Sequence, residues 1–213
     1  MKESITILVL LITFSSNQLI AQDNNQNPRE KLTVGLKAGL NFSNVWDEQG
    51  QDFQADGKVG FIAGAFVGIP IGEWIGVQPE VHISQKGMQA SGTLLFTPYT
   101  FTRTTTYLDI PLLFQLKPSD YITLVAGPQF SYLLHEKNVY TFGSNSAQQE
   151  QEFNNEDPRK NILGFTGGID VNIQHIVISA RASCDFQNNN GNGTSTTPRY
   201  KNQLVQLTVG FKI

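Results

Sequence analysis

Along residues 81–85, and again along 205–213, apolar side chains take every second position with polar ones between them. A two-residue period sends successive side chains to opposite faces, which is strand geometry. The same beat predicts eight strands, over residues 32–44, 58–69, 74–86, 104–116, 121–134, 161–173, 176–187 and 203–213. One face of these segments is apolar almost throughout, as in Val34, Leu36, Ala38, Leu40 and Phe42, or Ile176, Ile178, Ala180 and Ala182. The opposite face holds glycines and charges. A soluble sandwich would keep charge off the face it encloses. The pattern therefore predicts a sheet closed on itself, apolar outside and polar within, as in an antiparallel up-and-down transmembrane β-barrel.

The connections alternate in length. Those after the first, third, fifth and seventh predicted strands are long (residues 45–57, 87–103, 135–160 and 188–202), and those at 70–73, 117–120 and 174–175 are tight turns. Small outer-membrane barrels have short periplasmic turns and longer external loops. The alternation thus predicts a bacterial outer-membrane location with both termini periplasmic. Outward aromatics divide accordingly into a loop-end girdle (Trp46, Phe42, Phe61, Tyr132, Phe165, Phe186) and a turn-end girdle (Trp74, Phe114, Phe211).

Composition sharpens the assignment. The chain is 39% hydrophobic and only 15% charged, where soluble domains average about 25% charged residues. A barrel whose apolar belt uses alternate residues accounts for both values. A net charge of −3 excludes the clustered basic footprint of a nucleic-acid binder. The amino terminus reads as a cleavable signal peptide over residues 1–21: Lys2, an apolar run over 5–14, a polar stretch, and cleavage after Ala21. The apolar run is too short to span a bilayer as a helix, which takes about 20 residues. Residues 22–31 read as a flexible periplasmic leader, and 32–213 as the barrel domain. Cys184, the single cysteine, reads as a small apolar residue on an outward face.

By parity, Lys37, Lys86, Arg181 and Lys212 point inward with Glu80, His82, Asp109, Asp170 and Asp185. Charges of opposite sign in equal number suit a packed lumen, because an unpaired buried charge costs several kcal/mol. These nine residues are the predicted structural charge network. Glycines on the same face, among them Gly35, Gly64 and Gly168, make room for the long side chains. Ile62, Phe66, Leu113 and Val177 also fall inward, which predicts a bulge or an apolar layer. Pro79, Pro111 and Pro128 lie inside strands, where proline removes a ladder hydrogen bond, and local bulging is the expectation there.

The segments around these prolines carry a resemblance. Val77-Gln78-Pro79-Glu80-Val81, Tyr107-Leu108-Asp109-Ile110-Pro111-Leu112-Leu113 and Ala126-Gly127-Pro128-Gln129-Phe130-Ser131-Tyr132 occur in that order, after Gly35-Leu36-Lys37-Ala38-Gly39-Leu40-Asn41 and before Ala180-Arg181. From about residue 32 to the end, the chain resembles the PorT-like, "porin family" outer-membrane β-barrel proteins of the Bacteroidetes. The resemblance implies an eight-stranded barrel and little about activity, although PorT is associated with a protein-secretion system. Such barrels often finish on an aromatic residue, whereas this chain ends Phe211-Lys212-Ile213.

Candidate chemistry is sparse. His82 shares a face with Glu80, and His135 precedes Glu136 in a long connection, so either could in principle pair with a carboxylate as a general base. His175 falls in a turn. Charge pairing within the lumen explains His82 and Glu80 better, so no catalytic residue is expected. The run Glu150, Glu152, Glu156 and Asp157 lacks the spacing of a calcium loop, and Gly191-Asn192-Gly193-Thr194 precedes a strand where a phosphate loop needs a helix. No metal or cofactor is expected. Eight strands enclose an interior that side chains fill, which argues against an open pore. The expectation is a monomeric barrel solvated by outer-membrane lipid, with its long loops free to meet a protein partner. The alternatives are an envelope-assembly or secretion accessory, a rim enzyme or a small-solute pore, and, at the level of fold, a soluble lipocalin-like binder.

Overall fold

The computed structural model describes residues 27–47, 55–94, 97–142, 145–152, 161–187 and 200–213. The expected signal peptide 1–21, residues 22–26, Glu156, Asp157 and the stretch 191–194 lie outside these, as do the side chains of Trp46, Glu150 and Glu152. The described residues form nine strands: β1 (Thr33–Asp47), β2 (Ala55–Pro70), β3 (Ile75–Leu94), β4 (Thr97–Leu116), β5 (Ile122–Phe142), β6 (Asn145–Glu152), β7 (Asn161–Ile173), β8 (Ile176–Asp185) and β9 (Tyr200–Lys212). All pairings are antiparallel between neighbours. β1 joins β9, and β4 joins β5, so eight strands close into a barrel with β6 attached outside the ring.

Burial alternates along each wall strand. In β8 the inward set is Val177, Ser179, Arg181, Ser183 and Asp185, and Ile178, Ala182 and Cys184 face out. Val209, Phe114 and Leu36 are 58%, 65% and 69% exposed, whereas Glu80, Lys86 and Asp109 are at or below 1%. The exterior is apolar and the interior ionic. Of the predicted girdle residues, Phe42, Phe61, Tyr132, Phe165, Phe186, Trp74, Phe114 and Phe211 all emerge exposed.

Two loop expectations are corrected. Residues 87–103 and 135–160 were expected to be connections, but β3 and β4 continue as one hairpin to Leu94 and Thr97, and β5 runs on to Phe142 and pairs with β6. The run Thr100–Tyr107 is rich in threonine and aromatics, residues that favour the extended backbone. Its threonines read as loop chemistry only because apolar alternation had stopped. Above Leu133, β6 takes the place beside β5 that β7 holds below Tyr132.

The prolines differ from expectation too. Register is continuous past all three: Pro79 aligns with Leu112 as His82 does with Asp109, Pro111 with Gln129, and Pro128 with Phe165. The register shifts lie elsewhere, between Gly57 and Ile62 in β2 and between Thr106 and Tyr107 in β4. Proline's φ near −65° is compatible with an extended chain, so the residue loses one donor without adding a residue to its strand. Ile62, Phe66, Leu113 and Val177 form apolar filling of the lumen, all within 5% exposure.

The short turns 71–74, 117–121 and 174–175 lie at the end of the barrel where β1 begins and β9 ends, and there Val34 and Ile213 exchange backbone hydrogen bonds of 3.0 and 2.9 Å. The described residues ahead of β1, within the stretch expected to be a flexible leader, are tied to this end. Pro28–Glu30 forms a 3₁₀ turn capped by Asn27, and Arg29 reaches Glu73 at 3.1 Å and Asp120 at 2.6 Å, with its guanidinium 5.2 Å from the Trp74 ring centroid.

Candidate functional site

The lumen is where the polar chemistry of this chain converges. Lys37 on β1, Glu80 and His82 on β3, Asp170 on β7 and Arg181 on β8 meet at one level. Arg181 donates through Nη1 to both oxygens of Glu80 (2.9 and 2.8 Å) and through Nη2 to both oxygens of Asp170 (3.0 Å each). Lys37 Nζ donates to Glu80 Oε2 at 2.7 Å, and His82 Nε2 lies 2.9 Å from the same oxygen. Gln78 Nε2 donates to Glu80 Oε1 at 2.6 Å and Gln115 donates to Gln78 in turn. A planar guanidinium with paired donors suits this double-carboxylate geometry.

A second cluster lies further from the termini. Lys86 Nζ bonds Asp109 Oδ1 at 3.1 Å and Ser131 Oγ at 3.4 Å, and stands 4.6 Å from the Tyr107 ring centroid. Asp185 has a neutral partner, Asn202 Nδ2 at 2.7 Å. Lys212 stands apart at the turn end, donating to Asn172 Oδ1 at 2.6 Å. Of the nine predicted residues, five form one connected cluster, Lys86 and Asp109 a pair, and Asp185 and Lys212 each join an amide instead of an opposite charge.

Glycine provides the space. A Cβ at Gly64 would sit 2.1 Å from Val81 O and 2.4 Å from His82 Cδ2. Tyr107, Leu133 and Ile162 pack as a buried apolar cluster above. Sequence reasoning missed them, since an apolar residue on the inward parity gives no charge signal. Gln78 and Gln115 were equally silent, and only the position of Gln78 two residues from Glu80 hinted at its role.

The chain matches the family model described as "Outer membrane protein beta-barrel domain" over residues 20–189. It belongs to that family. The outer-membrane barrel assignment follows from this match together with the inside-out burial. Solved structures with the same kind of fold include Ail, the attachment invasion locus protein of Yersinia pestis (14% identity, 85% of this chain and 98% of that one, TM-score 0.47). Neisserial surface protein A (11%, 85% and 97%, TM-score 0.45) and OprG of Pseudomonas aeruginosa (11%, 87% and 97%, TM-score 0.43) are others. No curated protein matches the sequence.

The three histidines sit in different surroundings. His135 and Glu136 are adjacent beside a register shift, and Glu136 turns inward to Arg103 (3.2 Å) and Asn138 (2.8 Å) while His135 does not share its burial. His82 is sealed in the charge cluster at 2% exposure. His175 lies exposed in its turn, its Nδ1 3.0 Å from Lys212 O.

Proposed function

We propose that this outer-membrane barrel works as an interaction protein, with the hairpins β3–β4 and β5–β6 facing the cell exterior and the termini and short turns facing the periplasm. The observation that carries this reading is the crossed lumen. Glu80 and Arg181, on opposite walls, are joined by charge-assisted bonds, which supports a closed barrel in place of a solute path. The hairpins supply the surface. Phe101 and Tyr140 pack at 4.7 Å between ring centroids, Arg103 stands 5.7 Å from the Phe101 centroid, and Tyr99 and Tyr140 are exposed. Aromatic residues and arginine are enriched at protein interfaces.

Delivery to the envelope rests, in this proposal, on removal of residues 1–21, which mass measurement of the mature amino terminus tests. An epitope inserted between positions 94 and 97 should be reached by antibody on intact cells, in a protein that fractionates with the outer membrane and shifts in gel mobility on boiling. Labelling only after the outer membrane is permeabilised overturns the orientation. A second reading, an accessory role in envelope assembly or secretion, draws on the ordered motifs around Pro79, Pro111 and Pro128. Normal secretion and surface proteins in a deletion strain would end it.

A further inference from the structure

The end of the barrel where β1 begins and β9 ends holds an open-mouthed cavity of about 500 Å³ beneath the charge cluster, lined in part by Lys117, Lys212, Asn172, Gln115, Asp120 and Asp170. Its acidic groups are already engaged. Both oxygens of Asp170 accept from Arg181, and Asp120 pairs with Arg29 at 2.6 Å. Its lysines are not. Lys117 Nζ donates to the backbone oxygen of Arg29 at 2.7 Å and Lys212 Nζ to the amide oxygen of Asn172 at 2.6 Å. Among the described residues neither ammonium has a carboxylate within salt-bridge distance.

The two lysines come from opposite walls. Lys117 follows β4 and Lys212 ends β9, four strands away in either direction around the ring. Lys117 is 8% exposed, and burial, with the Lys212 charge adding to it, holds its ammonium below the ordinary lysine range. Two cations lining one cavity disfavour each other's charge, and an anion bound within it would offset that.

We propose that this vestibule binds a small dianion, a phosphate or a dicarboxylate, held between Lys117 and Lys212. The leader turn at Arg29 forms one side of the entrance and fixes Lys117 through its backbone oxygen. Two ammoniums on opposite walls select for a doubly charged ligand over a singly charged one of similar size, because only the former satisfies both. The site stands on its own geometry; only its access from the periplasm rests on the orientation proposed above.

Titration calorimetry on the refolded full barrel in zwitterionic detergent, at constant ionic strength, tests the assignment with inorganic phosphate, succinate and acetate in separate arms. One saturable site is expected for phosphate or succinate, whichever arm binds naming the ligand class, with acetate weaker by about tenfold or more. Lys117→Gln and Lys212→Gln should each weaken that binding about tenfold, the loss of one charge-assisted hydrogen bond. Lys117→Arg should retain it, and heat-modifiable mobility reports that each variant is folded. Absence of saturable heat from both dianions up to about 10 mM, or equal binding by the folded Lys117→Gln/Lys212→Gln double variant, overturns the proposal.

Discussion

Arg181 and Glu80 meet across the full width of the barrel. β8 and β3 lie four strands apart in either direction around the ring, yet Arg181 Nη1 stands 2.8 Å from Glu80 Oε2. The pair is a strut between opposite walls; Lys37, Gln78 and Asp170 complete its hydrogen bonding, and His82 Nε2 lies 2.9 Å from Glu80 Oε2. In the function proposed above, a strut at this level holds the wall strands in register and fills the passage that a solute would need.

Removing one end of the strut leaves a buried charge without its partner. Arg181→Met should destabilise the barrel by about 3–5 kcal/mol, the usual cost of breaking a buried pair from one side. Urea unfolding in lipid vesicles measures it. The double variant Glu80→Gln/Arg181→Met should cost less than the sum of the two single changes, since neither charge is then stranded.

Conductance follows from the same contact. The wild-type barrel in a planar bilayer should show no steady unitary current. Glu80→Ala combined with Arg181→Ala, which removes the side chains that cross the lumen, should give current steps at the same protein density. Steady steps in the wild type would contradict the closed lumen.

The exterior should respond in the opposite sense to the interior. Ile178 faces outward between Val171 and Val209, so Ile178→Arg places a charge against lipid. Ile178 is close to the turn at 174–175, so a loss of about 1–2 kcal/mol is expected, below the value at the bilayer midplane, read by the same unfolding assay. Ser179, its inward neighbour, should tolerate Ser179→Thr far better.

Gly64 is a packing constraint. Its Cβ would fall within 2.4 Å of His82 and closer still to a backbone oxygen, so Gly64→Ala should cost about 1–3 kcal/mol through overpacking. Pairing it with His82→Ala relieves the side-chain clash and leaves the backbone one, so recovery should be partial.

The leader contact is the fourth point of control. Arg29 bonds two turns at once, Glu73 in one and Asp120 in the other. Arg29→Ala should leave the barrel folded, because these carboxylates are half exposed. It should make the peptide bond after Lys31 more susceptible to trypsin in the folded protein, and an unchanged digestion rate would count against the tether.

Fold class, strand order and the sidedness of every wall strand were legible in the sequence, because a two-residue period is a local property of the chain and apolar-out closure leaves a sign on each segment. The inward parity of Lys37, Glu80, Lys86, Asp109 and Arg181 was legible for the same reason. Partnership was not. That Glu80 answers Arg181 while Asp185 takes an amide depends on which strands end up opposite at one height, a consequence of closure and stagger that no single strand encodes. The hairpin extensions beyond Gly87 and His135 escaped because their strands leave the apolar belt and lose the alternation that marks the rest. The juxtaposition of the vestibule lysines was invisible for a related reason: Lys212 carried inward parity, but it lies 95 positions from Lys117 in the chain, and only the closed ring sets one across from the other.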